Sequence, residues 1–296
     1  MKILAITTSR ADREPLMPVI NALGGHCTHL HLENNGLVPG DILDCDVALL
    51  LGDQFWTLRN ATEVANRGIP IIHLSGGSLT IGAVDDAFRN AITRLAYWHF
   101  PGCEVDAQRL RDSGENPERI FNLGFPAIDA LAETLMSKDE CEKELGITFE
   151  SPVALVAYNP ETLGSDTGNL LYITSCLQKY KTIIVSGANA DKGGDEINEW
   201  WQKPDIYYRK TYHQKLWFSL MYHADVLIGN SSGFIYEGMT MGKKFINIGD
   251  RQKGRYEDAV EMFKHDPRPF GIPGTVGKAI ASKILSLKIP KYPRKV

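Results

Sequence analysis

The chain has 296 residues, of which 43% are hydrophobic and 23% charged, with a formal net charge of -4 and a pI near 6.1. That length and balance make two α/β domains the default, and a mildly acidic surface excludes any global attraction to nucleic-acid backbones or anionic membranes. Five scattered cysteines without a C-x-x-C pair exclude a disulfide framework and a zinc knuckle. They point to a reducing compartment, and the apolar N-terminus is too short for a secretory or membrane segment, so a cytoplasmic protein with no membrane partner is expected.

In chain order, Lys2 to Thr7 reads as a buried strand, and Arg10 to Arg13 opens an amphipathic helix carrying Leu16, Val19, Ile20 and Leu23. Strands are expected at His26–Glu33, Asp46–Leu51 and Ile69–Leu74, a helix from Asp85 to Ala96, and further strands at His99–Pro101 and Ile120–Gly124. From Leu131 to Ser151 the chain is charged and loses strand character, which sets a domain boundary near residue 150. The rhythm restarts with strands at Val153–Tyr158, Thr182–Ser186, Asp225–Gly229 and Lys244–Ile248. A helix over Val276–Leu287 is expected to pack back across both domains, before a charged, proline-containing tail from Lys288 to Lys295. Alternating strands and helices imply parallel βαβ topology in both halves, residues 1–150 and 151–296.

The strongest local signal is the strand Val226 to Gly229 running into Asn230-Ser231-Ser232-Gly233. Backbone N–H groups and hydroxyls at the positive end of a helix form a phosphate seat, and Glu237, about two turns on, is placed to take a ribose hydroxyl. A simple serine N-cap is the bland alternative. Downstream, Ile248 to Arg255 puts Arg251, Lys253 and Arg255 in a glycine-flanked loop at a strand's carboxyl end, where α/β proteins place ligands. His29 and His31 share a strand face, but a half-buried strand explains them better than a metal site. Packing likewise explains the aromatic cluster Trp200, Trp201, Tyr207, Tyr208, Tyr212 and Trp217 better than base or sugar stacking.

Taken with these, Ser9 to Asp12, Gly52-Asp53, His73 to Gly77, Gly82 to Asp86, Arg89 to Leu95 and Asn189 to Asp191 resemble, in order, the hydrolysing UDP-N-acetylglucosamine 2-epimerases. The resemblance implies a GT-B fold, two Rossmann-like domains with parallel sheets facing a central cleft. The C-terminal domain would hold the uridine diphosphate and the N-terminal one would do the chemistry. It makes Ser231, Ser232 and Glu237 ligands of UDP, with Arg10 approaching the diphosphate, and Asp53 and Asp85 acids of the active site. Asn159, Ser186, Asn230, Arg251 and Arg255 complete the expected UDP-binding set. No metal and no cofactor beyond the UDP-sugar substrate are implied.

The departures fall where the family's chemistry resides. Gly52-Asp53-Gln54-Phe55-Trp56 stands for a Gly-Asp-Arg-Phe-Glu type sequence, Ser75 and Ser78 for an acid in or after His-x-x-Gly-Gly, and Tyr158-Asn159-Pro160 for Tyr-His-Pro. Serine and asparagine cannot carry the proton that epimerisation moves. The expectation is therefore glycosyl transfer from a UDP-sugar to an acceptor hydroxyl, with Asp53 or Asp85 as base and a modified nucleobase in DNA among the candidate acceptors. The alternatives are a hydrolysing UDP-N-acetylglucosamine 2-epimerase and a non-catalytic UDP-sugar binder. Oligomeric state is left open, with a homodimer among the options.

Overall fold

The computed structural model describes residues 1–32, 36–39 and 44–290. The chain forms two compact units, the first comprising residues 1–79, 85–132 and 265–296, the second residues 80–84 and 133–264.

The sheet of the first unit contains β1 (Ile3–Thr7), β2 (Cys27–His31), β3 (Val47–Leu51), β4 (Ile71–Leu74) and β5 (Trp98–Phe100), all parallel, in the order β2-β1-β3-β4-β5. Its central strands are buried on both faces, as parallel sheets covered by helices require. The helices are α1 (Arg10–Leu23), α2 (Phe55–Asn66), α3 (Asp85–Leu95), α4 (Glu104–Asp112) and α10 (Val276–Ser286).

The second unit repeats the plan with β6 (Val153–Ala157), β7 (Thr182–Ser186), β8 (Tyr207–Arg209), β9 (Val226–Gly229) and β10 (Phe245–Asn247), in the order β10-β9-β6-β7-β8. Its helices are α5 (Lys138–Leu145), α6 (Thr167–Leu177), α7 (Gly194–Trp200), α8 (Gln214–His223) and α9 (Arg255–His265), and a π-helical turn spans Phe234–Gly238. Trp201 lies fully inside this unit's core, and Trp217 stacks between Tyr212 and Phe234, so these aromatics are spent on packing.

Three sequence expectations differ from what is observed. The units divide at Ala132/Glu133, so residue 150 falls inside the second unit, and Thr80–Val84 pair within the second unit although both neighbours in sequence belong to the first. The C-terminal helix α10 packs on α1 in the first unit. Ile120–Gly124, expected as a strand, forms a single bridge among the described residues, Ile120 to His99. The remainder of the second-strand expectation beyond Leu32, and the tail from Lys291, lie outside the described residues.

Gly277 explains how closely α10 approaches α1. A Cβ there would overlap the backbone and ring of Pro18, so only glycine permits the contact. Behind it, Ile280 and Ile284 are fully buried, as are Leu16 and Val19 on α1. Replacing Ile280 with alanine should cost about 2–5 kcal/mol through lost transfer energy and the cavity left behind. Chemical denaturation should show it as a lower midpoint with an unchanged slope; an unchanged midpoint would mean this helix contributes nothing to the fold.

Candidate functional site

In the second unit, strand order brings three polar loops together. Ala157, Gly229 and Asn247 are level in the ladder, so the segments leaving β6, β9 and β10 start side by side. Asn230, with no exposed surface, closes a double hydrogen bond on Asn159. Its Oδ1 accepts the Asn159 N–H at 2.7 Å and its Nδ2 donates to the Asn159 carbonyl at 2.8 Å. The Asn159 side chain in turn accepts the N–H of Asn189 at 2.9 Å. Gln252 donates to the Asn230 carbonyl at 3.0 Å, joining the third loop. Burial makes the bonds of Asn230 and Gln252 obligatory, since an unpaired amide there would cost about 1–3 kcal/mol.

Arg251, expected to reach a diphosphate, is 9% exposed, and its guanidinium donates to the Pro160 carbonyl and to Asp191 Oδ2 at 2.8 Å. Asn159, Asn230 and Arg251 thus form the frame of the loop cluster. Ser231 and Ser232 are half-buried, follow Asn230 directly and make no side-chain hydrogen bond among the described residues. Below them Glu237 is buried in the π-helical turn, packed against Gly233. Arg255 donates to Gln252 Oε1 at 2.9 Å and lies 5.6 Å from the centre of the Tyr236 ring. Ser186 ends β7 beside Ala157 at the end of β6.

In the first unit, α1 begins with a reciprocal cap. Ser9 Oγ accepts the Ala11 N–H, while the Asp12 carboxylate takes the N–H groups of Thr8 at 2.8 Å and Ser9 at 2.8 Å. This sets Arg10 at the first helical position, exposed, 3.8 Å from Glu14. At the end of β3, Asp53 is ion-paired to Arg89, whose side chain is 1% exposed. The same guanidinium donates to the Ser78 carbonyl at 2.7 Å and to Asp86 at 2.9 Å. One buried cation therefore ties the loops after β3 and β4 to the first turn of α3, where Asp85 is half-buried. Ser75, in the turn after β4, has φ 66°, the left-handed region that favours glycine, and its buried hydroxyl has no hydrogen-bond partner among the described residues.

His73 on β4 supports this arrangement from beneath. A carbonyl can only accept, so Nε2–H donates to Gly52 O at 2.8 Å and Nδ1 accepts from the Thr93 hydroxyl at 3.2 Å. Full burial pushes its pKa down to about 3. His29 and His31 both hydrogen-bond to Thr7 Oγ1, at 2.9 Å and 2.8 Å, and no group of three or more potential ligands for a metal ion occurs among the described residues. Nor is any described helix long and apolar enough to cross a membrane.

His73, Arg89 and Gln252 stood in the quoted motifs without a role of their own, and Glu161 was not singled out from sequence. An acid four residues past a strand end, as Glu161 is, was the available signal; the others have partners far away in sequence.

Two parallel five-stranded sheets with helices on their faces define the GT-B class, and solved structures agree. The UDP-GlcNAc 2-epimerase of Neisseria meningitidis, solved with UDP-GlcNAc, matches at TM-score 0.79 and 16% identity, covering 97% of this chain and 100% of that one. The Methanocaldococcus jannaschii UDP-GlcNAc 2-epimerase, solved with UDP-GlcNAc and UDP, matches at TM-score 0.74 and 17% identity, covering 96% and 99%. The family model for UDP-N-acetylglucosamine 2-epimerase matches residues 41–280, and the chain belongs to that family. Over 225 residues it is 36% identical to a GDP/UDP-N,N'-diacetylbacillosamine 2-epimerase (hydrolyzing) of Campylobacter jejuni, covering 71% of this chain and 58% of the relative. A UDP-N,N'-diacetylbacillosamine 2-epimerase (hydrolyzing) of Legionella pneumophila is 32% identical over 218 residues, with coverage of 71% and 58%. The chain thus spans 58% of the length of these curated relatives.

With the folded pKa of His73 below its ordinary value of 6.5, only the unfolded chain binds this proton between pH 6.5 and about 3. The stability His73 contributes is complete above pH 6.5 and is lost as pH falls through that window. Stability measured against pH should therefore fall less steeply in His73→Gln than in the wild type; parallel curves would show that this imidazole is not held neutral.

Proposed function

We propose that the chain is a hydrolysing 2-epimerase of a UDP-linked 2-acetamido sugar, the reading that the sequence placed second. The observation carrying it is family membership, supported by Ser231 and Ser232 after β9, whose side chains make no hydrogen bond among the described residues, with Glu237 in the turn that follows. Relatives named as 2-epimerases support this reading over glycosyl transfer.

In the proposed reaction a base removes the proton on C2 as the C1–O bond breaks and UDP departs. Water then returns a hydroxyl to C1 and a proton to C2 from the opposite face. Asp85, half-buried at the first position of α3, is the proposed base, with Asp53, ion-paired to Arg89 at the end of β3, as the other candidate. The diphosphate would rest on the free N–H groups and hydroxyls of Ser231 and Ser232, and Glu237 would receive the ribose.

Glycosyl transfer is the second reading, favoured by Ser75, Ser78 and Asn159 at positions where the family carries an acid and a histidine. It needs only one base and a site for the departing diphosphate. The two readings separate in one experiment. Proton NMR of the chain incubated with UDP-N-acetylglucosamine or UDP-N,N'-diacetylbacillosamine should show UDP and the free C2-epimeric sugar in equal amounts. UDP release that requires an added acceptor would instead establish transfer, and no turnover under either condition would leave a binder. Asp85→Asn should lower turnover about 10²–10⁴-fold, as removal of a general base does, with UDP affinity intact. Glu237→Ala should weaken UDP about tenfold by calorimetry, and equal affinity would remove the ribose assignment.

A further inference from the structure

We infer that Glu161 is a positioning residue of the nucleotide seat, holding Asn230 and the Arg251 loop in register so that Ser231 and Ser232 present to a diphosphate. The inference rests on the UDP reading above and assigns a role to an acid outside the expected site.

Glu161 is 8% exposed and lies in the segment that leaves β6. Its Oε1 accepts the Arg251 N–H at 3.3 Å and the Asn230 Nδ2 at 3.4 Å, so one oxygen spans the loops after β9 and β10. The loop after β10 has made room for it. A Cβ on Gly249, whose φ is 75°, would overlap Glu161 Oε1, and glycine is the residue that adopts this backbone without strain. Its own N–H is anchored by Asp166 Oδ1 at 2.9 Å, which fixes the carboxylate's starting point. Asn230 is the residue immediately before the two serines, so any loosening of its amide is passed to them directly through the backbone.

The surrounding charges are mixed. Arg251 favours the ionised form and Asp166 opposes it, while Asp191 shares the Arg251 guanidinium. Asp250 and Lys253 line the same cavity of about 580 Å³ as Glu161. Burial outweighs the rest and raises the carboxyl above its ordinary value. As pH falls through that raised value, Oε1 becomes a weaker acceptor for Arg251 and Asn230, and the seat loosens.

The test is calorimetric titration of the full chain with UDP, at neutral and mildly acidic pH, for the wild type, Glu161→Gln and Glu161→Ala, with the Tm of each recorded. Glu161→Gln keeps an acceptor oxygen and should bind UDP within about threefold of the wild type at neutral pH, whereas Glu161→Ala should bind about tenfold more weakly. Wild-type affinity should also fall more on acidification than that of Glu161→Gln. UDP's own phosphate titration is common to both, so the difference reports Glu161 alone. A folded Glu161→Ala that binds as the wild type does overturns the inference. If that variant does not fold, identical pH dependence of the wild type and Glu161→Gln overturns it instead. A wild type that fails to bind UDP at either pH removes the nucleotide reading and this inference together, an outcome distinct from wild-type binding that is indifferent to residue 161.

Discussion

Asn230 is fully buried, yet all of its amide hydrogen-bonding capacity points at backbone and side chains from other strand ends. The constraint behind this is general. At the carboxyl ends of parallel strands the ladder stops, and the polar groups released there must find partners or remain exposed to water. In the second unit the solution is a network in which Asn159, Asn230, Glu161, Arg251 and Gln252 satisfy one another across three loops. The hydroxyls of the two serines after Asn230 take no part in that network among the described residues.

The first unit meets the same constraint with a cation. Arg89, 1% exposed, is surrounded by Asp53, Asp86 and the Ser78 carbonyl, so its charge is compensated on every side that the loops present. Removing any one partner would leave a buried charge short of compensation, a far larger cost than the pair itself contributes. Two carboxylates are thereby held in fixed directions beside the start of α3. Serine at position 78 keeps its structural function through its backbone carbonyl, whatever side chain it carries.

This division bears on Asn159, one of the positions at which the sequence was read as departing from the motifs it resembles. Asn159 contributes to the frame through its backbone N–H and carbonyl, and its side chain caps Asn189. The frame requires polar groups of the right geometry, and asparagine provides them. Proton transfer requires a titrating group, which asparagine lacks. Substitution at such a position changes chemistry while leaving the fold in place.

Much of the fold was legible in the sequence. Nine of the ten described strands fall on segments expected as strands, such as Val47–Leu51 and Val153–Ala157, and α1 on the amphipathic pattern that follows Arg10, because hydrophobic periodicity is local and its signal lies within a few residues. The short strand Tyr207–Arg209 was hidden, since its residues are largely exposed and resemble an aromatic surface cluster. What the sequence could not supply was which side chains are consumed by the protein itself. Arg251, expected from the sequence as a phosphate ligand, also meets the Pro160 carbonyl, 91 residues away, because the order β10-β9-β6 brings their loops together. Asp53 meets Arg89 across 36 residues, and α10 returns to α1 from the far end of the chain. Such partners depend on strand order and on burial, which set the energetic demand for pairing, and neither is encoded within any short stretch of residues.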